Sequence, residues 1–268
     1  MNTIKKITHP IVSKLPESNR LERIWKLAEV DFKKRYYNDK LGLLWALLNP
    51  VIQIFIYYYV FTHIFKMAKV DNYAIFLFCG LVLWIGFKEA SNKGIAMIKS
   101  KRYLIENIQF NHVDLFVSST IAVFMGLIFN TGALLLACLV AGISLSPYAL
   151  FIFVLYINLF LIGMGTAMIL ATIRIYLDDI VHLWTMVTLL GFWTSGIFMR
   201  GELFLEELPI LLYLQPFIGI IINMRKITMY SLPPDYFILA VNMLAGVVVL
   251  LIGMFVFKRY SHKALENL

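Results

Sequence analysis

Residues 31–61 read DFKKRYYNDKLGLLWALLNPVIQIFIYYYVF. The first ten carry Lys33, Lys34, Arg35 and Lys40. The rest is almost wholly apolar, yet it holds Asn49, Pro50, Gln53 and three consecutive tyrosines. About 20 apolar residues suffice to cross roughly 30 Å of hydrocarbon. The second half therefore reads as a membrane span and the first as its charged shoulder. The polar groups inside the span then ask for a purpose.

The rest of the chain agrees. Of its 268 residues 60% are hydrophobic and 15% charged, and the mean hydropathy is +0.79. Soluble domains carry about 45–50% apolar and about 25% charged residues, so the fold class is an all-α integral membrane protein. Six transmembrane helices are expected, near 42–65, 73–91, 114–140, 148–173, 181–199 and 236–257. The first forty residues contain no apolar run of signal-peptide length. Cys79 and Cys138 both lie in apolar runs and read as small buried hydrophobes.

Charge sets the orientation. With both termini cytoplasmic, every Lys and Arg lies inside except Lys66, Lys69, Arg200, Arg225 and Lys226. That asymmetry is the positive-inside signature. The formal charge of +8 is thus a topology signal, and no nucleic-acid partner is expected. The chain divides into a cytoplasmic N-terminus (1–41), a spanning region (42–257) and a cytoplasmic tail (258–268).

Within the N-terminus, residues 19–37 read as a helix. Asn19 can cap it, with Glu22 three residues on. Leu21, Ile24, Trp25, Ala28, Phe32 and Tyr36 recur at helical spacing. Such a helix lies in the interface, apolar side down, with its Lys and Arg toward anionic membrane lipid.

No Asp, Glu, Lys or Arg sits centrally in a span; Lys88, Glu89 and Asp114 fall near span ends, where they can snorkel. Carriers driven by ion gradients use ionisable groups inside the membrane, so gradient coupling is disfavoured. The spans hold neutral polar groups instead, among them Asn49, Gln53, Asn130 and Asn158. These either join helices or line a path for a hydroxyl-rich substrate. Phe55, Tyr59 and Thr62 share one stripe of the first span.

Enzyme signatures are missing. There is no G-x-x-x-x-G-K-[ST], H-E-x-x-H, C-x-x-C or G-x-S-x-G. Asp178-Asp179 is the one paired acid in a cytoplasmic loop and reads as a salt-bridge partner of Arg174 or of the entry helix. No catalytic residue, metal site or cofactor is expected in this chain. The basic loop 92–112 reads as a short helix with Ile95, Ile98, Arg102 and Ile105 on one face, placed to dock on a soluble partner. Residues 200–235, cut by Pro209, Pro216 and Gly219, read as two short helices that enter the outer leaflet and return.

Two stretches carry a family likeness. Asp31-x-x-x-Arg35-Tyr36 followed by Leu41-Gly42-x-Leu44-Trp45-x-x-Leu48-Asn49-Pro50 resembles the entry helix and first span of the membrane subunit of polysaccharide-export ABC transporters. LQPFIGIIINMRK resembles that family's external segment, with Gln215 in place of its Asn. Arg174 with Asp178/Asp179 and the TSGIFM ending are a looser likeness; the family has Arg-Asp-Ile adjacent, and Gly196 stands where many relatives have Pro.

The resemblance implies a homodimer in a bacterial inner membrane, with two copies of a separate ATP-binding subunit beneath it and ATP and Mg bound there. Its substrate would be a lipid-linked polysaccharide such as O-antigen, capsule or teichoic acid. It implies a coupling helix at 95–105 built on Ile95, Ile98, Lys99, Lys101, Arg102 and Ile105, and a gate helix carrying Trp25, Asp31, Arg35 and Tyr36. The first and fifth spans would bound a channel, lined by candidates Trp45, Gln53, Phe55, Tyr58, Tyr59, Thr62, Phe192 and Trp193. Rival readings are an ABC exporter of a drug or small lipid, a secondary carrier and a membrane glycosyltransferase or prenyltransferase. The last two are disfavoured by the spans without charge and the lack of acidic motifs.

Overall fold

In hydrocarbon a backbone must satisfy its own N–H and C=O groups, and a helix does so within one segment. Every element among the described residues is helical. The computed structural model describes residues 19–36, 42–66, 70–107, 111–201 and 215–265. In chain order the helices are α1 (Arg20–Tyr36), α2 (Leu44–Tyr59), α3 (Tyr73–Ser100), α4 (Arg102–Asn107), α5 (Val113–Val140), α6 (Ile152–Tyr176), α7 (Ile180–Thr194), α8 (Pro216–Thr228) and α9 (Tyr236–Leu265). A π-helical turn, Val60–Ile64, prolongs α2, and a 3₁₀ turn, Pro147–Phe151, leads into α6.

Five stretches are long and apolar enough to cross a bilayer: Leu44–Ile64, Tyr73–Ser100, Val113–Val140, Pro147–Tyr176 and Tyr236–Tyr260. The chain is a multi-pass membrane protein. The stretch expected at 181–199 forms the 15-residue apolar α7, about 22 Å long at 1.5 Å per residue. A turn at 195–199 follows, in which Gly196 takes a φ of +82°.

The core is organised around α3. Phe76, Leu77, Leu81 and Leu83 on it are essentially inaccessible, and it packs against α2, α5, α6 and α8. Small residues set the closest approaches, as membrane helices require. A Cβ on Gly94 of α3 would collide with Ala167 of α6, and Gly165 of α6 lies against Val249 and Gly253 of α9. By contrast α2 shows an outward apolar face, with Phe55 at 69% exposure.

Asn19 does cap α1: its Oδ1 accepts from the backbone N–H of Leu21 at 3.2 Å and of Glu22 at 3.5 Å. Yet the expected apolar face divides. Ile24, Ala28 and Tyr36, with Leu27, are buried on the bundle, whereas Leu21 and Trp25 point outward. The basic residues divide too. Arg20 and Arg23 reach the carboxylate of Asp114 at 2.8 and 3.2 Å. Lys26 and Lys33 pair with Glu29 on α1 itself. Asp114 does not snorkel: it is fully buried at the start of α5, where the helix N-terminus favours an anion.

Of the two short helices expected over 200–235, α8 is present and mostly buried. The other falls on 202–214, which lie outside the described residues, as do 1–18 and 37–41. Cys79 and Cys138 are free and buried; Cys79 Sγ lies 3.4 Å from Thr228 Oγ1.

Candidate functional site: an aromatic cavity with a charged end

Three helices leave space between them. The α2 stripe Asn49, Gln53 and Tyr57 repeats every four residues, so it lies on one face. That face meets Trp84, Ile85, Lys88, Glu89, Asn92 and Lys93 of α3 and Thr185, Thr188, Leu189, Phe192 and Trp193 of α7, around a cavity of about 870 Å³. Bulk on α3 is admitted by a missing side chain on α7: a Cβ at Gly191 would stand 2.8 Å from the Trp84 indole. The Trp184 indole N–H donates to Ser91 Oγ at 3.0 Å and fastens α7 to α3.

The lining is graded. Near α1 it is charged: Arg35 pairs with Glu89, and Lys93 Nζ lies 3.4 Å from the same carboxylate. The middle is neutral and polar, with Gln53, Thr185 and Thr188. The far end is aromatic, with Tyr57, Trp84, Phe192 and Trp193. Beyond it sits Phe198, whose ring centroid lies 5.1 Å from Tyr57, 4.8 Å from Phe61, 5.3 Å from Phe192 and 4.9 Å from Trp193. Uncharged amides and hydroxyls between ring faces suit a polar, neutral solute; the basic end suits an acidic group.

Of the channel-lining candidates, Gln53, Phe192 and Trp193 line this cavity. Phe55, Tyr58 and Tyr59 are exposed on other faces of α2, and Trp45, one turn before Asn49, is half exposed beside a smaller pocket that it lines with Asn49, Arg35 and Glu89. Tyr59 instead stacks on His63 with centroids 5.0 Å apart. Thr62 lies in the π turn, its Oγ1 buried without a hydrogen-bond partner. The tyrosine that faces the cavity is Tyr57, on the polar stripe rather than the aromatic one.

The 95–105 stretch is not one helix. The α3 helix runs through Ser100 and breaks at Lys101, and α4 begins at Arg102. Ile95 and Ile98 are buried in the bundle, and Ile105 packs on the cluster of Leu27, Met97 and Phe116. Lys99 Nζ lies 2.5 Å from Asp178, and Arg174 Nη1 donates to the Ile95 carbonyl at 3.0 Å. Lys99 holds the Asp178 carboxyl below its usual range. Lys101 Nζ lies 2.5 Å from Asp31, whose carboxylate also accepts from Ser119 at 2.9 Å. Burial pushes the Lys101 ammonium below its ordinary value, and Asp31 opposes that shift. Arg102 is exposed.

Among the gate candidates, Asp31 and Arg35 each tie α1 to a neighbour. Tyr36 is buried with its hydroxyl over Gly126, and Trp25 is half exposed on the outer face.

Sequence reasoning missed the most tightly held cation. Arg225, counted above among outside charges, is buried on α8. Its guanidinium donates to the carbonyls of Gly196 and Met199 at 3.0 Å, Ile197 at 2.6 Å and Phe76 at 3.3 Å, and it covers the Phe76 ring. Gln215, at the start of α8, accepts from Thr194 and donates to the Gly191 carbonyl, both at 2.9 Å. The two residues close the segment LQPFIGIIINMRK picked out by sequence, but nothing in it announces their partners.

A membrane bundle with a graded cavity and a buried clamp at the end remote from α1 defines a permease. The chain belongs to the ABC-2 type transporter family, whose match covers residues 22–229. It resembles two proteins from Klebsiella pneumoniae described as "O-antigen export system permease protein RfbA". Each is 20% identical over 239 residues, 89% of this chain and 92% of the relative. A protein of the same description from Myxococcus xanthus is 32% identical over 84 residues, 31% of this chain and 32% of that relative. Membership fits a transport component that works with a separate ATP-binding subunit.

Proposed function

We propose that this chain is the permease subunit of an ABC exporter that moves a lipid-linked surface polysaccharide, of the O-antigen or capsule kind, out of the cytoplasm across a bacterial inner membrane. The observation that carries the reading is the cavity. Its aromatic and neutral polar walls suit sugar rings, and Arg35, Lys88 and Lys93 suit the acidic linkage of a carrier lipid. The names of the relatives point the same way.

On this reading α7 is the fifth of six crossings and both termini face the cytoplasm. The cavity is open-sided, since Asn49, Thr185, Leu189 and Trp193 on its rim are exposed. A second copy facing it would complete a channel. Two ATP-binding subunits supply ATP and Mg, and they dock against the cytoplasmic end around Arg102 and α4. In this reading Lys99 and Lys101 hold α4 in place rather than touch the partner, and Ile95 and Ile98 anchor it from within. Asp31 and Arg35 set the position of α1 at the cavity mouth.

The test is co-expression with an ATP-binding subunit encoded beside this gene, followed by detergent purification and an ATPase assay. Equal stoichiometry, with turnover lost when the partner's Walker lysine is replaced, is the expected result. A chain that purifies alone and moves solute in vesicles without ATP overturns the reading.

A further inference from the structure

We propose that Phe61 and Phe198 are the closing pair at the end of the cavity remote from α1, and that the π turn Val60–Ile64 is the element whose rearrangement parts them. The proposal rests on the reading of the cavity as part of the conduction path.

The first observation is the packing at that end. Phe198 lies nearly parallel to Phe61, at an interplanar angle of 17°, and nearly parallel to Trp193, at 25°. The edges of Tyr57 and Phe192 meet it at 82° and 89°. Two of these partners, Tyr57 and Phe61, come from α2 and its π turn; the other two come from α7. The cluster is therefore a seam between two bodies rather than the interior of one.

The two bodies are held unequally. Phe198 sits on the 195–199 turn, whose carbonyls of Gly196, Ile197 and Met199 all accept from Arg225. Arg225 also reaches the Phe76 carbonyl of α3, so the turn is pinned to both α8 and α3. Among the described residues no side chain clamps the carbonyls of the π turn in this way. Arg225 is a positioning residue: it fixes the seat, and Phe61 is the part free to leave it.

The second observation says how Phe61 leaves. The turn closes with an i→i+5 bond from the Phe65 N–H to the Val60 carbonyl at 2.9 Å. Such π turns occur mostly as single insertions, frequently at functional positions. Re-forming α-type bonds through the segment turns its side chains by up to about 100°, the angle per residue of an α-helix. That rotation takes Phe61 off the Phe198 ring. Thr62 marks the alternative state. Its Oγ1 is buried with no partner in the π form, whereas a Thr in an α-helix can donate to the carbonyl four residues before it.

The experiment reads accessibility of the full-length chain in proteoliposomes, with Cys79 and Cys138 replaced by Ala. A single Gln53→Cys reporter lines the cavity, and a membrane-impermeant maleimide is added separately to each side. The expected result is slow labelling from the side of the 195–199 turn in the parent. Labelling from that side should be at least ten-fold faster in Phe61→Ala and in Phe198→Ala. Phe55→Ala, on the outward face of α2, serves as the control and is expected to leave the rate unchanged. Equal rates in all four proteins, or the same increase with Phe55→Ala, overturn the proposal. None of these readouts needs an ATP-binding partner. A chain that shows the labelling pattern but recruits no such partner therefore supports the closing pair while removing the export reading.

Discussion

The ammonium of Lys101 lies 2.5 Å from the carboxylate of Asp31, and this contact joins the break between α3 and α4 to the middle of α1. Both side chains are largely withdrawn from solvent, at 13% and 16% exposure. Removing one partner of a buried pair leaves the other charge uncompensated, which costs about 3–5 kcal/mol. Asp31→Asn should therefore lower the thermal midpoint of the detergent-purified protein. The pH dependence has a definite sign. Burial already depresses Lys101, and losing Asp31 depresses it further. The unfolded chain then binds more protons than the folded one below the normal lysine range, so stability rises with pH there. The deficit of Asp31→Asn against the parent should shrink as the pH rises toward the ordinary lysine range. A deficit that stays constant refutes this.

A sharper contrast holds at Asp114. Its carboxylate is fully buried, while Arg20 is 61% and Arg23 15% exposed. Asp114→Ala removes the fully buried carboxylate that Arg20 and Arg23 share and should cost about 3 kcal/mol or more. Arg20→Ala should cost less than Asp114→Ala, since the exposed guanidinium is screened by water. Parallel thermal melts in one detergent check the order.

Two glycines in neighbouring helices should respond oppositely. A Cβ at Gly165 would stand 2.6 Å from the Val249 carbonyl oxygen, which is backbone and cannot swing away. Gly165→Ala should force α6 and α9 apart, at about 1–3 kcal/mol for overpacking. Nothing lies within 4 Å of the same atom at Gly132, so Gly132→Ala should be neutral or stabilising by up to about 1 kcal/mol. Yield of monodisperse protein and melting temperature distinguish the two.

Arg102 tests the docking surface cleanly. It is exposed on α4, whereas Lys101 serves the α1 clamp. Arg102→Glu should reduce co-purification of the ATP-binding subunit at least five-fold. Unchanged co-purification removes α4 from the docking site. A double change with Lys101 would not answer the question, because it also detaches α1.

Five of the six expected spans and the cap at Asn19 were legible because each is a local pattern. A run of apolar residues, a capping side chain and an i+4 repeat need no knowledge of neighbours. The faces were harder. Phe55, Tyr59 and Thr62 form as good a stripe as Asn49, Gln53 and Tyr57, yet only the second meets α3 and α7. In a membrane either stripe can face lipid, so aromatic content does not choose; a polar pair four residues apart was the better clue. Ile95 and Ile98 are buried because α3 runs on to Ser100, past the end at 91 that the apolar run alone suggests. Arg225 was invisible for a different reason. Its partners are carbonyl oxygens, which every residue carries, and the Phe76 carbonyl is 149 positions away.

One consequence follows from the length and stiffness of α3. Its 28 residues contain no proline, and at 1.5 Å per residue they form a rod about 42 Å long. One end is gripped through the Phe76 carbonyl by Arg225, and the other passes directly into Lys101 and α4. Gly94 against Ala167 supplies a fulcrum nearer the α4 end. Such a rod cannot absorb a push by bending at one point, so it must rock. About that fulcrum a rocking of about 5° sweeps the Tyr73 end through about 3 Å. If the ATP-binding subunit docks at α4 as proposed, a push there reaches the far end of α3 with its direction reversed and its amplitude enlarged by the longer arm.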